Sequence, residues 1–240
     1  MEKAMTFDEL LTASAAAHGH LCPGQVVGVR LAILGLRLQG MAVPPNLAQL
    51  KDLIVFVEMD RCAGDAVAYV TGVRLGRRSL KFADYGIMAA TFVHLRTGRA
   101  YRILSTEESR ELAALYAPEE TDKVRRQLVA YRRMPDSVLF RVQEVEVELR
   151  AVDLPGPTRA KATCQACGQV VRDGREVRRH GRVLCRPCAG DAYFSRPREI
   201  AWPEMNWVPT PEPLSFPENL NPPRLTSAPE DDHDQEDSLV

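Results

Sequence analysis

The chain has 240 residues, 45% of them hydrophobic and 26% charged, with a formal net charge of -1. This is the composition of a globular protein with one large domain or two smaller ones. It has no run of 18 apolar residues, and the N-terminal sequence MEKAMTFDEL lacks the basic-then-apolar order of a secretory signal, so we expect a cytoplasmic protein that does not contact a membrane.

Periodicity predicts a mixed series of helices and strands in the N-terminal part of the chain. Helices are predicted at residues 6–17, 25–39, 62–71, 106–116 and 119–132, and strands at 53–59, within SLKFA, ATFVHLRTG and RAYRILS, and at 139–149. Gly28 and Gly35 inside the second helix indicate close packing. The fold class is α+β.

The segment HGHLCPG, between the first two predicted helices, carries potential metal ligands. If it is extended, His18, His20 and Cys22 project to one side. Pro23 favours the first turn of a helix, so Cys22 is expected at a helix start, where the dipole favours a thiolate. Cys62 is expected at another helix start.

Together, His20, Cys22 and Cys62 would form a three-ligand metal site with an open fourth position. The alternative is two buried apolar cysteines and a loop histidine whose nitrogens bond to the backbone. Asp60 is expected to cap the helix that begins near Cys62, and Asp65 either caps or orients a histidine.

Near the C-terminus, two C-x-x-C pairs are separated by seventeen residues, and their four cysteines are Cys164, Cys167, Cys185 and Cys188. This spacing predicts a zinc ribbon in which four thiolates close the coordination sphere, so the zinc is structural rather than catalytic. Free or redox-active cysteines and an iron centre are the alternatives. His180 is a less favoured ligand than the cysteines, and Gly168 suits the turn with positive φ that closes such a site.

Charge divides the C-terminal part of the chain. Residues 159–199 carry ten Lys/Arg against four Asp/Glu, whereas residues 200–240 carry nine acidic groups and one basic residue, Arg224. Nine of the seventeen prolines follow Arg196. We therefore predict a core at residues 1–153, a linker at 154–161, a zinc ribbon at 162–198 and a disordered Pro-rich acidic tail at 199–240.

The motifs HGHLCPG, VEMDRCAGDAVAYVTG, LGRRSLKFADYGIMAATF and CQACGQVVRDGREVRRHGRVLCRPC, in this order, resemble the FmdE family, which takes its name from a component of formylmethanofuran dehydrogenase, a molybdenum or tungsten enzyme. The resemblance covers residues from about 8 to 195. It implies an α+β core that forms intertwined homodimers, a metal bound in the core, and the added zinc finger found in some members.

By this resemblance the candidate ligands of the core metal are His20, Cys22 and Cys62, with His18 as a fourth. From the residues themselves, Asp60 and Asp65 are candidates for contacting these ligands. The identity of this second metal is left open. Many relatives have the sequence T-G-C-T at the end of the helix that is predicted here at 62–71, whereas residues 71–74 of this chain are TGVR. Chemistry that needs the additional thiol is therefore not expected.

The leading hypothesis is a dimeric, zinc-binding accessory protein with a partly open core metal site and a ribbon that contacts an unknown protein partner. One alternative is a component of, or an enzyme in, molybdenum- or tungsten-dependent, formylmethanofuran dehydrogenase-like one-carbon oxidoreduction. Another is a zinc-finger regulator that binds nucleic acid through the basic ribbon, which the few aromatic residues there disfavour. Whether the chain is an enzyme is left undecided.

Overall fold

The computed structural model describes residues 5–200. Residues up to Ala192 group into one compact unit, and a second unit begins at Tyr193. The predicted acidic tail falls almost entirely on residues 201–240, which lie outside the described residues. Within the described part of the chain, no helix combines the length and the apolar character needed to cross a membrane. The predicted boundaries of core, linker and ribbon remain predictions.

Eight α-helices occur among the described residues, and the first four build the surroundings of the HGHLCPG segment. Thr6 begins α1 with a capping box, accepting from the backbone N–H of Glu9 while the Glu9 carboxylate accepts from Thr6, and Gly19 ends it with φ +103°. The helices are α1 (Phe7–His18), α2 (Pro23–Leu38), α3 (Leu47–Lys51), α4 (Cys62–Thr71), α5 (Glu107–Glu111), α6 (Ala113–Tyr116), α7 (Lys123–Arg133) and α8 (Asp136–Leu139).

Five strands form one mixed sheet in the order β2-β1-β3-β4-β5. β1 pairs in parallel with β2, and the other three pairings are antiparallel. The strands are β1 (Leu53–Val57), β2 (Leu80–Phe82), β3 (Ala89–His94), β4 (Ala100–Ser105) and β5 (Phe140–Val145). This mixture of helices and strands confirms the predicted α+β class.

The main core lies on one face of the sheet. Alternate residues of β1, such as Leu53 and Val55, join Phe92 and the apolar sides of α1, α2, α4 and α7. On the opposite face, Ile54 and Val93 are covered by side chains that follow β5, namely Val147, Leu149 and Leu154. The predicted strand 139–149 therefore ends earlier, at Val145, because the residues beyond it leave the sheet edge to cover this second face.

Two other local expectations also differ from the structure. Sequence periodicity missed α3, a single turn held by Asn46, whose side chain accepts from Gln49 N–H while Gln49 reaches back to Asn46. The helix predicted at 106–116 is divided into α5 and α6 at Leu112. Both cases are short elements of about one turn, for which apolar periodicity carries little signal.

Gly28 and Gly35 mark close packing of α2, as expected. A Cβ on Gly28 would lie 2.7 Å from the Cα and the carbonyl oxygen of Ala63 in α4. A Cβ on Gly35 would overlap the ring of Phe92 in β3. The first contact lets the N-terminal parts of α2 and α4 approach each other, which brings the segments carrying Cys22 and Cys62 together.

Gly28→Ala is therefore expected to lower the free energy of unfolding by about 2 kcal/mol, because the Ala63 backbone cannot move aside as a flexible side chain can. Urea denaturation measures this change. Gly76→Ala is the matched control, since a Cβ there meets no heavy atom within 4 Å, and its effect should stay within about 0.5 kcal/mol. Equal stability of the two variants would contradict the close α2–α4 contact.

The cysteine-rich region consists of two short hairpins, formed by β6 (Lys161–Thr163) with β7 (Val170–Arg172) and by β8 (Val177–Arg179) with β9 (Arg182–Leu184). A set of charges anchors it to the preceding chain. Arg78 Nη1 donates to Asp173 Oδ2 at 2.8 Å, and Asp173 Oδ1 accepts from the backbone N–H of Arg159 at 2.8 Å. The hydrogen bond from the Arg159 amide is the main reason why the pKa of Asp173 lies below its usual value, and the charge of Arg78 lowers this pKa further.

Asp173→Asn is expected to loosen this anchor, because an amide can keep only one of the two accepted bonds and turns its NH2 group toward Arg78. The anchoring interaction should be weakened by about 1–3 kcal/mol. Limited trypsin digestion at Arg159 and Lys161 should accelerate about tenfold. Asp191→Asn, an exposed carboxylate of the same region, is the control, and equal digestion rates for both variants would contradict the anchoring role.

Candidate metal sites

Three potential ligands of the HGHLCPG segment converge at the C-terminal end of α1 and the start of α2. One ligand atom each from His18, His20 and Cys22 lies within 4.8 Å of the others. Two ligands bonded at about 2.0–2.3 Å to one ion are at most about 4.6 Å apart, so only small side-chain rotations are needed. The ring centroids of His18 and His20 are 4.9 Å apart.

His18 is the most constrained member of this cluster. Its side chain is 14% exposed, and Nδ1 lies 2.9 Å from Oδ2 of Asp65 in α4. An Nδ1–H that donates to this carboxylate leaves a lone pair on Nε2. Nε2 is buried and has no hydrogen-bond partner within the described residues. A carboxylate-held imidazole with its other nitrogen free is the usual arrangement of a metal-ligating histidine.

Two helix starts meet beside this cluster. Cys22 is the N-cap residue of α2 and Cys62 the first residue of α4, and neither helix has a side-chain cap. Burial raises the pKa of the Cys62 thiol, and a hydrogen bond with Cys22 and the charge of Cys22 raise it further. Cys62 thus contacts Cys22, but it is not part of the compact group formed with the two histidines.

The expectation that Asp60 caps α4 is wrong. The N-cap is Arg61, with an extended backbone and no side-chain cap bond. Asp60 is exposed, and the carboxylate that contacts the histidine is that of Asp65. The different roles follow from position, because Asp65 lies in the first turn of α4, whereas Asp60 precedes the helix.

A buried glutamine that sequence reasoning overlooked fixes the spacing of the two cysteines. Gln25 is fully buried. Its Nε2 donates to the Cys62 carbonyl oxygen at 2.7 Å, and its Oε1 accepts from Ser14 Oγ at 2.6 Å. The signal was a polar residue at the start of the otherwise apolar stretch VVGVRLA. These bonds join α1, α2 and α4 directly behind the cluster.

Two clefts border the His18–Asp65 pair. One, of about 430 Å³, is lined by Ala17, Tyr69, Val73 and Arg74 among others. The second, of about 530 Å³, includes Cys62 and the apolar side chains of Met59, Leu75 and Phe82. Both volumes lie in the range of small-molecule pockets. The cluster is therefore reachable from outside, unlike a site closed by protein on every side.

The second cluster consists of Cys164, Cys167, Cys185 and Cys188, with one ligand atom each within 4.8 Å of the others. Cys164 follows β6 and Cys185 follows β9, so each hairpin delivers one C-x-x-C turn. Gly168 has φ +74° and donates its N–H to the Cys164 carbonyl at 2.9 Å. His180 occupies the exposed β8–β9 turn and is not a member of the cluster.

The four thiols strongly affect one another. A hydrogen bond from the backbone N–H of Cys185 lowers the pKa of Cys164 to about 6. The thiol of Cys188 has its pKa raised to about 12 by hydrogen bonds with Cys185 and Cys167. Cys164 therefore forms a thiolate readily, whereas the neighbouring thiols disfavour a thiolate at Cys188. A bound divalent cation favours the thiolate form of its ligands, so this set of four cysteines fits a metal ion.

Comparisons with known proteins identify the family and the fold of this chain. The family described as "FmdE, Molybdenum formylmethanofuran dehydrogenase operon" matches residues 17–145, a range that includes the histidine and cysteine cluster of the core. A curated relative, a "Probable S-adenosyl-L-methionine-binding protein" of Archaeoglobus fulgidus, is 26% identical over 204 residues, which cover 77% of this chain and 53% of that protein. The chain thus spans about half the length of this relative.

A solved structure gives independent support for the fold. The chain is similar to a tungsten formylmethanofuran dehydrogenase FmdE-like protein from Syntrophus aciditrophicus, with a TM-score of 0.52 and 18% identity. The similarity covers 80% of this chain and 96% of that one. Because the family match spans more than half of the sequence and the architecture agrees, the chain belongs to the FmdE family.

Proposed function

We propose that the protein is a cytoplasmic, dimeric accessory protein of the FmdE type that binds two metal ions for two different purposes. The four-cysteine cluster holds a structural zinc ion, and His18, His20 and Cys22 hold a second ion in a partly open core site. Cys62 is the thiol that hydrogen-bonds the Cys22 ligand. The open site receives a small molecule or a group from a partner.

The observation that carries the proposal is the state of His18. Leaving a buried nitrogen without a partner costs about 1–3 kcal/mol, and Nε2 of His18 is such an atom. The cost is recovered when Nε2 bonds to a cation. Asp65 holds the other nitrogen and thereby sets the tautomer, while His20 and Cys22 supply the next two donors.

The donor set limits the metal and its chemistry. Imidazole and thiolate together suit zinc and other late first-row metals rather than magnesium or calcium. An ion with three protein ligands and an open position can polarise a bound ligand as a Lewis acid. Residues around the ion shape this site. Asp65 orients His18, the Cys62 carbonyl is held in place by a hydrogen bond, and Leu75 and Phe82 form apolar walls.

Two surfaces are proposed for contacts with other chains. The segment between residues 75 and 87 exposes large apolar side chains beside the second cleft, which suits the homodimer; these are Leu75, Phe82, Tyr85 and Ile87. The cysteine-rich hairpins instead expose arginines, which favour an acidic protein partner; these are Arg172, Arg178, Arg182 and Arg186. Arg179 Nη1 donates to the Ala189 carbonyl and holds the second hairpin against the last cysteine turn.

Counting metal ions in the purified full-length protein tests the proposal. Mass spectrometry of the native protein should find two ions per chain. The double variant His20→Ala, Cys22→Ser should retain one, because the four-cysteine site is unchanged. His180→Ala, an exposed histidine of the ribbon, serves as the control and should retain two.

A single ion per chain in the wild-type protein, with no change in the double variant, would mean that the core does not bind metal. Sedimentation measured on the same samples tests the dimer separately, because a monomer with two ions would overturn only that part of the proposal.

A further inference from the structure

A third concave surface shares no lining residue with either cysteine cluster. It lies where α3, the 3-10 turn at residues 75–77 and the connection at residues 155–156 meet, and its volume is about 550 Å³. Its lining residues are Leu47, Leu50, Lys51, Gly76, Arg77, Ser79, Pro155 and Gly156. The volume lies within the range that small-molecule sites occupy.

The floor of this cavity is apolar. Leu47 begins α3 and is 76% exposed, a large fraction for a leucine on a short, well-capped helix. Leu50 and Pro155 continue the apolar surface. The Ser79 hydroxyl is already used, because it accepts from the Arg74 backbone N–H at 3.1 Å. The floor can therefore contact the apolar part of a ligand, but it offers few uncharged groups that could form a hydrogen bond with the ligand.

The walls are cationic. Lys51 and Arg77 line the cavity, and no acidic side chain does. A third cation lies at the rim, since Nη2 of Arg159 is 3.9 Å from the position that a Cβ on Gly156 would take. Within residues 5–200, none of these three side chains forms an ion pair or hydrogen bond. By contrast, Arg78 in the adjoining anchor is fully engaged by Asp173 and a backbone carbonyl.

Two glycines keep the cavity open. Gly156 has φ +128°, a conformation that side chains rarely adopt, so the connection turns here without filling the space. Gly76 has no heavy atom within 4 Å of its would-be Cβ. The backbone N–H of Arg159 is held by Asp173 at 2.8 Å, which fixes the segment that carries the third cation at the rim.

We propose that this cavity binds a small organic phosphate: a compact apolar or aromatic body rests on Leu47, Leu50 and Pro155. The phosphate group is held by Lys51, Arg77 and Arg159. A phosphate monoester carries about -1.5 to -2 charges at neutral pH, which suits a cavity that is lined by cationic side chains and by no carboxylate. The site lies outside the two metal clusters and does not depend on the metal-binding proposal.

Isothermal titration of the full-length protein with 1-naphthyl phosphate tests the proposal, with inorganic phosphate and 1-naphthol as partial probes. One molecule should bind per chain with a dissociation constant on the order of 100 µM. Each partial probe should bind at least about tenfold more weakly, because each lacks one half of the recognition. Raising the salt from about 0.05 to 0.5 M should weaken the binding of 1-naphthyl phosphate, since the cations are near the surface.

Three variants locate the site. Arg77→Gln and Lys51→Gln should each weaken binding about fivefold, and Leu47→Ser should weaken it without changing the salt dependence. Arg99→Gln, an exposed arginine on the β3–β4 turn, is the control and should bind like the wild type. Absence of binding at millimolar probe, or equal binding by Arg77→Gln and Arg99→Gln, would overturn the proposal.

The other occupant that the charges allow is the chain's own acidic stretch at residues 230–237. A variant with its Asp and Glu residues changed to Asn and Gln distinguishes the two. If this variant binds 1-naphthyl phosphate no more tightly than the wild type, the small phosphate is the occupant. An affinity at least about tenfold higher would instead assign the cavity to the acidic stretch and overturn the proposal.

Discussion

Replacing Cys164 and Cys167 together by serine is expected to unfold the ribbon and remove one metal ion per chain while the core stays folded. The buried residues of the ribbon are few, with Cys164, Leu184 and Ala189 as their centre. Such a core cannot offset the entropy of ordering its residues. Metal binding by a four-cysteine site contributes about 10–16 kcal/mol to folding, so its loss exceeds what the anchor at Asp173 can replace.

Limited proteolysis and metal analysis measure this effect. Trypsin should cut the double variant rapidly at the ribbon arginines, whereas a core fragment that ends near Arg150 should persist, because its apolar core does not include the ribbon thiols. Cys22→Ser is the matched control, since it removes one thiol from the core site and leaves the ribbon closed. A protease-resistant ribbon in the double variant would show that the metal does not hold this region together.

Asp65→Asn is expected to weaken metal binding in the core by about 10- to 100-fold. The carboxylate accepts a hydrogen bond from Nδ1–H of His18 and so leaves the lone pair of Nε2 for the metal ion. An amide binds the imidazole more weakly and can turn its NH2 group toward Nδ1, which favours the wrong tautomer. Because the Asp65 side chain is 71% exposed, the free energy of unfolding of the metal-free protein should change by only about 0.5 kcal/mol.

Competition against a chromophoric chelator measures the affinity of the core ion while the ribbon ion remains bound. Asp60→Asn is the control, because it removes an exposed carboxylate five residues earlier that does not contact the histidine. Equal affinities of the two variants would mean that Asp65 has no special role. Restored affinity in Asp65→Glu would indicate that the charge, rather than the length of the side chain, orients His18.

The features of the fold that the sequence predicts correctly are those set by local residue patterns. Long apolar patterns gave α2, β1 and α4 within two residues of their ends, and Gly28 correctly marked a close helix contact. The single turn of α3 and the division between α5 and α6 were missed, because their short length leaves no periodic signal. The cover formed by Val147 and Leu149 was taken for strand, since alternation alone does not say which residues find a partner strand.

The site shows a similar division. Spacing was enough to group the four cysteines, since each C-x-x-C turn is local and only the pairing of two turns is long-range. In the core, the sequence ranked Cys62 above His18, whereas the structure groups His18 with His20 and Cys22. The roles of Asp65 and Gln25 depend on how α4 packs on α1 and α2, and this packing is not visible in residue spacing.

X-ray diffraction recorded on both sides of the metal absorption edge, from crystals of the wild-type protein, tests the central claim most directly. The account predicts two anomalous peaks per chain, one among the four ribbon thiols and one bonded to Nε2 of His18 with His20 and Cys22 as further ligands. A single peak in the ribbon, with Nε2 of His18 hydrogen-bonded to water, would contradict it.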